Sequence, residues 1–131
     1  MTTQALTAES FEQTLLDSDI VLVDFWAAWC GPCRSFAPVF EQSSSTHPDI
    51  VFGKVDTEAE QSLAASARIT SIPTLMAFRQ GILVFSQPGA LPASALEQVI
   101  DGVRALDMDD VRVQIAATQA DAESQAATAA S

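Results

Sequence analysis

The feature that most constrains the fold is the nine-residue run IVLVDFWAA at positions 20–28, which is apolar except for Asp24. The run is rich in β-branched residues and apolar on both faces, which is typical of a strand buried in the middle of a sheet. Other elements must cover such a strand on both sides. We therefore predict an α/β protein with a central β-sheet flanked by helices on both faces.

Helix and strand patterns alternate along the chain. Helical patterns cover residues 6–17, with Thr7 as the N-cap, and residues 31–46, 58–67 and 93–106; strand patterns cover residues 20–27, 50–55, 75–78 and 82–85. Strand–helix–strand units imply parallel pairing, whereas the turn Arg79-Gln80-Gly81 joins the last two strands as an antiparallel hairpin. The sheet should therefore be mixed, with room for a further short strand near residues 3–6.

Composition limits the classes of function. The 131 residues predict one domain, large enough to bury a core, and 17 Asp and Glu against 6 Lys and Arg give a net charge of -11. This charge argues against nucleic-acid and anionic-membrane binding. The most apolar window, 20–30, is too short to span a bilayer, and residues 1–5 lack the pattern of a signal peptide. We expect a cytoplasmic monomer.

The character of the sequence changes at Asp107. The last 25 residues contain eight alanines, five acidic residues and one arginine. We assign residues 1–107 to the folded domain and residues 108–131 to a flexible, acidic, alanine-rich tail that cannot bury enough surface to order itself alone. The tail is either a solvated extension or a docking segment for a partner.

The only two cysteines, Cys30 and Cys33, lie in the motif WCGPC directly after the apolar strand. This position places the first thiol at the N-terminus of the helix predicted over 31–46, where unpaired N–H groups and the helix dipole favour a thiolate. Two sulfurs one turn apart can also form and reopen a disulfide, so the motif predicts dithiol–disulfide exchange. The alternatives are a local disulfide staple or half a zinc site, although the sequence has no second Cys pair and only one histidine, His47.

Cys30 is the predicted nucleophile. A free thiol with a pKa of about 8.5 is only about 3% ionised at neutral pH. Lowering this pKa to about 7, which would make the thiol half ionised, requires about 2 kcal/mol of stabilisation of the thiolate. A partly buried helix N-terminus supplies up to about that much. Cys33, one turn into the helix, should be more buried and should resolve the mixed disulfide by attacking the Cys30 sulfur.

Asp24 interrupts the apolar strand. Burial of a carboxylate is costly, so the pKa of Asp24 should be raised, which would suit a proton relay serving Cys33. Lys54 could approach Asp24 from the next strand and moderate this rise. The alternative is that Asp24 points to solvent at a bulge. We assign Trp26 to the core rather than to the site.

Several separated motifs together resemble the thioredoxin family over about residues 3–106. They are VDFWA at 23–27 before WCGPC at 29–33, Pro38, KVD at 54–56, IPT at 72–74, Gly81 and the pair Gly89-Ala90. The resemblance implies the thioredoxin fold and a general protein-disulfide reductase that needs no cofactor or metal besides its redox-active Cys30–Cys33 disulfide. It also implies recycling by thioredoxin reductase, a flavoprotein that takes electrons from NADPH. The sequence departs from the family pattern at Arg34, at Pro88 and in the acidic tail.

The resemblance also implies a substrate-binding surface around the cysteines. Pro73 would follow a cis peptide bond and leave the backbone of Ile72 open to an extended substrate. The residues expected to contact the substrate are Trp29, Gly31, Pro32, Ile72, Pro73, Gly89 and Ala90. Because the residues between the cysteines include no histidine, we expect a reductant. An oxidant or isomerase, and a binding module with incidental redox activity, are the alternatives.

Overall fold

The computed structural model describes residues 3–130 of the chain, with side-chain surroundings for residues 3–122. In order, the elements are β1 Thr3–Ala5, α1 Phe11–Asp17, β2 Ile20–Trp26, α2 Gly31–Thr46, β3 Val51–Asp56, α3 Gln61–Ser66, β4 Thr74–Arg79, β5 Ile82–Pro88, α4 Ala93–Arg104 and α5 Met108–Ala130. Met1 and Thr2, part of the N-terminus for which we predicted no signal peptide, and Ser131, the end of the predicted tail, lie outside the described residues.

The apolar run forms β2, the central strand of a five-stranded mixed sheet with the order β1-β3-β2-β4-β5. β2 pairs in parallel with β3 and antiparallel with β4. β1 extends the parallel half beside β3, and β5 completes the hairpin beside β4. The predicted mixed sheet, the hairpin and the additional N-terminal strand are therefore confirmed.

Helices cover both faces of the sheet, as predicted. On one face α2 and α4 bury Phe36, Phe40, Leu96, Ile100 and Val103 against the sheet residues Leu22, Phe52, Leu75 and Ala77. On the other face α1 and α3 pack Phe11, Leu15 and Leu63 against Val21, Val23, Phe25, Val55 and Met76. The two clusters follow from alternation along β2, because successive side chains of a strand point to opposite faces.

The first helix begins later than predicted. α1 starts at Phe11 and its N-cap is Ser10, so the assignment of Thr7 as N-cap was wrong. Leu6 explains the difference, because its N–H donates to the Lys54 carbonyl at 2.8 Å and its side chain is buried. The chain therefore continues along the sheet through Leu6. A turn follows, in which the Thr7 N–H donates to Ser10 Oγ at 3.0 Å.

The predicted tail forms the helix α5. Met108 is only 6% exposed. Val111 and Ile115 are half-buried and line a surface cavity together with Leu83, Val84 and Leu106. The first turns of this segment thus have apolar contacts that we did not predict. A domain boundary at residue 107 and flexibility beyond it remain predictions.

Arg79 ties the end of α4 to the start of this segment. Its Nη1 donates to the carbonyls of Val103, Arg104 and Leu106 at 2.9, 3.1 and 2.8 Å. One guanidinium therefore satisfies carbonyl groups that the end of a helix leaves without partners. Among residues 3–122, no helix is long and apolar enough to cross a bilayer.

Candidate active site

The two cysteines lie at the N-terminus of α2, directly after the central strand. Cys30 is the N-cap residue, and its Sγ accepts a hydrogen bond from the Cys33 N–H at 3.2 Å. Pro32 suits the first turn because its missing N–H would have no partner within the helix. Cys30 and Cys33 form a disulfide, with their Cα atoms 5.2 Å apart. The predicted placement of the motif at a strand-to-helix junction is confirmed.

The two sulfur-bearing residues line different spaces. Cys30 is 4% exposed and Cys33 is 3% exposed, so the predicted difference in burial between them is absent. Cys30 lines an open groove of about 430 Å³, whereas Cys33 lines an inner cavity of about 110 Å³. The residues around the groove are Trp29, Cys30, Gly31, Pro32, Thr57, Ala64, Ile69, Thr70, Ser71 and Ile72. What distinguishes the two cysteines in this oxidised form is therefore what each one faces.

The loop before β4 forms one wall of the groove. The Ile72–Pro73 peptide bond is cis, as the resemblance implied. The Ile72 carbonyl oxygen lies 3.7 Å from Cys30 Sγ. The Gly89 N–H donates to the Pro73 carbonyl at 2.7 Å, which brings Gly89 beside this loop. Ala90 is exposed and does not line the groove within the described part of the chain.

Trp29 stands at the rim of the groove. Its side chain is exposed, and its indole N–H donates to Glu58 Oε1 at 2.7 Å. Glu58 lies in the turn after β3, where its N–H donates to Oδ1 of Asp56, the last residue of that strand, at 2.9 Å. Sequence reasoning missed Glu58. A signal was available, because β2 and β3 are parallel and residues that follow both strands must meet at the same edge of the sheet.

Asp24 is fully buried beside the inner cavity, so the alternative of a solvent-facing carboxylate is wrong. Within the described residues, neither of its carboxylate oxygens has a hydrogen-bond partner. Burial raises the pKa of Asp24 to about 7, and the positive charge of Lys54 opposes this rise. Lys54 is the register partner of Asp24 on β3. The predicted burial, the raised pKa and the moderating effect of Lys54 are confirmed.

Trp26 has contacts beyond the core role that we assigned to it. Its ring packs against the buried cluster of Ala27, Cys30 and Cys33. It also lines the cavity that contains Asp24. Its Nε1 is buried and, among the described residues, has no hydrogen-bond partner. Trp26 thus connects the disulfide to the cavity below it.

Arg34 occupies the cavity wall on α2. Its Nη1 donates to the Ala28 carbonyl at 2.9 Å, so the guanidinium is fixed to the turn before the cysteines. His47 lies at the opposite end of α2, with Nε2 2.7 Å from Glu97 Oε2. In the part of the chain that the structure describes, no group of three or more His, Cys, Asp or Glu side chains is arranged to hold a metal ion.

This arrangement defines a class of protein. A cysteine pair that closes a disulfide at a helix N-terminus, with one sulfur next to an open groove, can exchange that disulfide with another molecule. The protein is a thiol–disulfide oxidoreductase.

The thioredoxin family model matches residues 2–102, and the chain belongs to the thioredoxin family. It is 56% identical over 120 residues to a putative thioredoxin 2 from Streptomyces coelicolor, covering 92% of this chain and 90% of the relative. It is 46% identical over 99 residues to thioredoxin 1 from Synechococcus elongatus, covering 74% and 92%. Thioredoxin from Plasmodium falciparum superimposes with a TM-score of 0.72 and 36% identity, covering 76% of this chain and 98% of that chain. The predicted thioredoxin fold is confirmed.

Proposed function

We propose that this chain is a cytoplasmic protein-disulfide reductase in which Cys30 is the nucleophile and Cys33 is the resolving thiol. The observation that carries the proposal is that the two cysteines face different spaces. Cys30 lines the groove, where a substrate can reach it, and Cys33 shares the inner cavity with Asp24. Family membership supports the same reaction class.

In the first step the reduced Cys30 reacts as a thiolate. The Cys33 N–H, 3.2 Å from Cys30 Sγ, and the positive end of α2 stabilise its negative charge. The thiolate attacks one sulfur of a substrate disulfide and breaks the S–S bond. A mixed disulfide forms with Cys30, and the other substrate sulfur leaves as a thiolate that takes a proton from solvent.

In the second step Cys33 resolves the mixed disulfide. Asp24 accepts the Cys33 thiol proton through the cavity, which is large enough to hold water. The Cys33 thiolate then attacks Cys30 Sγ, the mixed disulfide breaks, and the second substrate thiolate leaves and takes up a proton. In sum, two electrons and two protons pass from the Cys30–Cys33 dithiol to the substrate. A pKa of about 7 suits Asp24 for both proton uptake and proton release near neutral pH.

The groove fits an extended peptide segment of a protein substrate. Trp29, Pro32 and Ile72 supply apolar surface around Cys30. The Ile72 backbone, close to Cys30 Sγ, can pair with the main chain of a bound segment. Pro73 and Gly89 support this wall through their shared hydrogen bond. In this proposal Ala90 contacts only the part of a substrate that extends beyond the groove.

The rest of the proposal concerns how the protein is used. Thioredoxin reductase, with electrons from NADPH, regenerates the dithiol, and the chain works as a monomer without a bound cofactor or metal. Residues 1–107 form the functional domain. Residues 108–131 are an acidic extension that the reaction does not need, so truncation after residue 107 should leave the kinetics of disulfide reduction unchanged.

Reduction of insulin by dithiothreitol, followed by turbidity, tests the assignment of the cysteines. Cys30→Ser should abolish the acceleration, whereas Ser35→Ala, a change to an exposed hydroxyl on the same helix, should leave it unchanged. Cys33→Ser should accumulate a mixed disulfide with substrate that mass spectrometry detects. A Cys30→Ser variant as active as the wild-type protein would show that Cys30 is not the nucleophile.

Two further measurements test the direction of electron flow. NADPH oxidation in the presence of thioredoxin reductase and insulin should depend on this chain and on both cysteines. The equilibrium of the dithiol with a glutathione buffer of known potential separates a reductant from its alternatives. A reduction potential above about −200 mV would place the protein with oxidants or isomerases instead.

A further inference from the structure

Three side chains from two neighbouring strands surround the inner cavity. Asp24 and Trp26 are two residues apart on β2, so they point to the same face of the sheet. Lys54 is paired with Asp24 across the β2–β3 ladder. All three line the same cavity as Cys33, which α2 places above them. Lys54 and Trp26 are therefore close enough to determine each other's position.

The Lys54 ammonium group lies over the ring of Trp26. Lys54 Nζ lies 5.1 Å from the centroid of the ring, within the roughly 6 Å over which a cation is attracted to an aromatic face. Among residues 3–122, Lys54 forms no ion pair with a carboxylate. A lysine side chain has four flexible carbons, and without such a contact it would turn towards solvent.

We propose that Trp26 is a positioning residue: its indole face holds the Lys54 ammonium beside the cavity, so that a positive charge faces Asp24 when Cys33 resolves the mixed disulfide. The use of this charge in catalysis rests on the proposed function. The position of the Lys54 side chain is a property of the fold and can be tested without any substrate.

The other groups around the cavity do not replace Lys54. Arg34 and Cys33 face it from α2, but the Arg34 guanidinium is held by the Ala28 carbonyl. Asp56, the register partner of Trp26, accepts hydrogen bonds from two backbone N–H groups in the turn that follows it. Lys54 is the charged group that lowers the pKa of Asp24 against the effect of burial.

Titration of the Asp24 carboxyl carbon by NMR, on the oxidised protein, tests the proposal. We expect Lys54→Met to raise the pKa of Asp24 by half a unit or more, about a threefold change in its ionisation constant. In a protein that already carries Trp26→Leu, adding Lys54→Met should raise the pKa of Asp24 by less than half as much, because the Lys54 side chain has already left the cavity. This comparison cancels any change in hydration that Trp26→Leu itself causes.

Two controls sharpen the experiment. Trp29→Leu removes the other indole, which lies on the groove side, and should leave the effect of Lys54→Met undiminished. The Lys54 ε-methylene protons should be shifted upfield by the ring in the wild-type protein and lose this shift in Trp26→Leu. If Trp26→Leu does not fold, Trp26→Phe replaces it and should reduce the Lys54→Met effect to a smaller extent, since a phenyl ring attracts cations less strongly.

The proposal is wrong if Lys54→Met shifts the Asp24 titration equally with and without Trp26, or if the Lys54 resonances show no ring-current shift. The pH profile of insulin reduction tests the proposed function separately. Suppose that Lys54→Met shifts the Asp24 titration as expected but leaves the pH profile of insulin reduction unchanged. This result would support the positioning role of Trp26 and would refute Asp24 as the proton acceptor.

Discussion

Replacing Asp24 by asparagine should stabilise the fold above neutral pH and leave it almost unchanged in acid. The pKa of Asp24 is about 7 in the folded protein against an ordinary value of 3.8. Between these values the folded state binds more protons than the unfolded state, so the free energy of unfolding decreases as pH rises through this window. Above about pH 7 the Asp24 carboxyl is ionised in both the folded and the unfolded state, so the free energy of unfolding decreases no further on its account. An asparagine at this position cannot ionise, so Asp24→Asn removes this decrease in unfolding free energy.

The size of the effect follows from the same two values. The interval from 3.8 to about 7 corresponds to about 4 kcal/mol of unfolding free energy. Asparagine and the protonated carboxyl have nearly the same size and are both neutral, so at pH 4 the two proteins should differ little. At pH 8 the variant should be more stable by about 4 kcal/mol, or roughly 15 °C in melting temperature for a chain of this length.

Urea unfolding of the oxidised proteins from pH 4.5 to pH 9 measures this difference. The other carboxylates contribute equally to both proteins, so the difference between the two curves isolates Asp24. Asp121→Asn makes the same chemical change at an exposed position on α5 and should change the unfolding free energy only slightly. If the Asp24→Asn difference is also constant between pH 5 and pH 8, the carboxyl does not have the raised pKa on which the proposed relay depends.

Three packing predictions concern the framework around the site. In Gly53→Ala the new Cβ would overlap the buried side chain of Leu6, which should destabilise the protein by about 1–3 kcal/mol in urea unfolding; an unchanged midpoint would mean that β1 can shift. Arg79→Met removes three hydrogen bonds to carbonyl groups in the last turn of α4 and just beyond it, so it should cost about 2 kcal/mol and speed amide exchange at this end of the helix; unaltered exchange would count against this role. Phe40→Ala removes a ring buried between two others and should lower calorimetric stability by about 3–5 kcal/mol, and a loss below 1 kcal/mol would contradict the observed packing.

The parts of the fold that were predictable depend on local patterns. β2 could be recognised because its apolar residues continue on both faces, and α2 because an apolar stripe follows a proline at its start. The start of α1 was not predictable, because Leu6 joins the sheet only through contacts with β3, far along the chain. The packing of α5 also depends on residues outside the helix, here on β5 and on Leu106 in the turn after α4.

The same distinction applies to the site. Cys30, Cys33 and Asp24 could be found because each breaks or ends a local pattern in a chemically informative way. The contact between Trp29 and Glu58, and the position of Lys54 over Trp26, depend on how β2 and β3 are aligned. A single strand cannot specify the register of its neighbour. The groups to which we assign the reaction are therefore visible in the sequence, whereas the contacts around them are not.

The burial that raises the pKa of Asp24, and so suits it to the proposed proton relay, also makes its carboxylate destabilising. The two effects should therefore change together. Lys54→Met removes the charge that opposes the raised pKa of Asp24. In this variant the free energy of unfolding should therefore keep decreasing up to a higher pH than in the wild-type protein. The reason is that the interval between the unfolded and the folded pKa of Asp24 becomes wider. If Asp24 accepts the Cys33 proton, the pH at which the resolving step reaches half its maximal rate should rise by the same amount. Urea unfolding and single-turnover reduction across pH measure the two shifts, and a shift in stability without one in rate would separate the carboxyl from the chemistry.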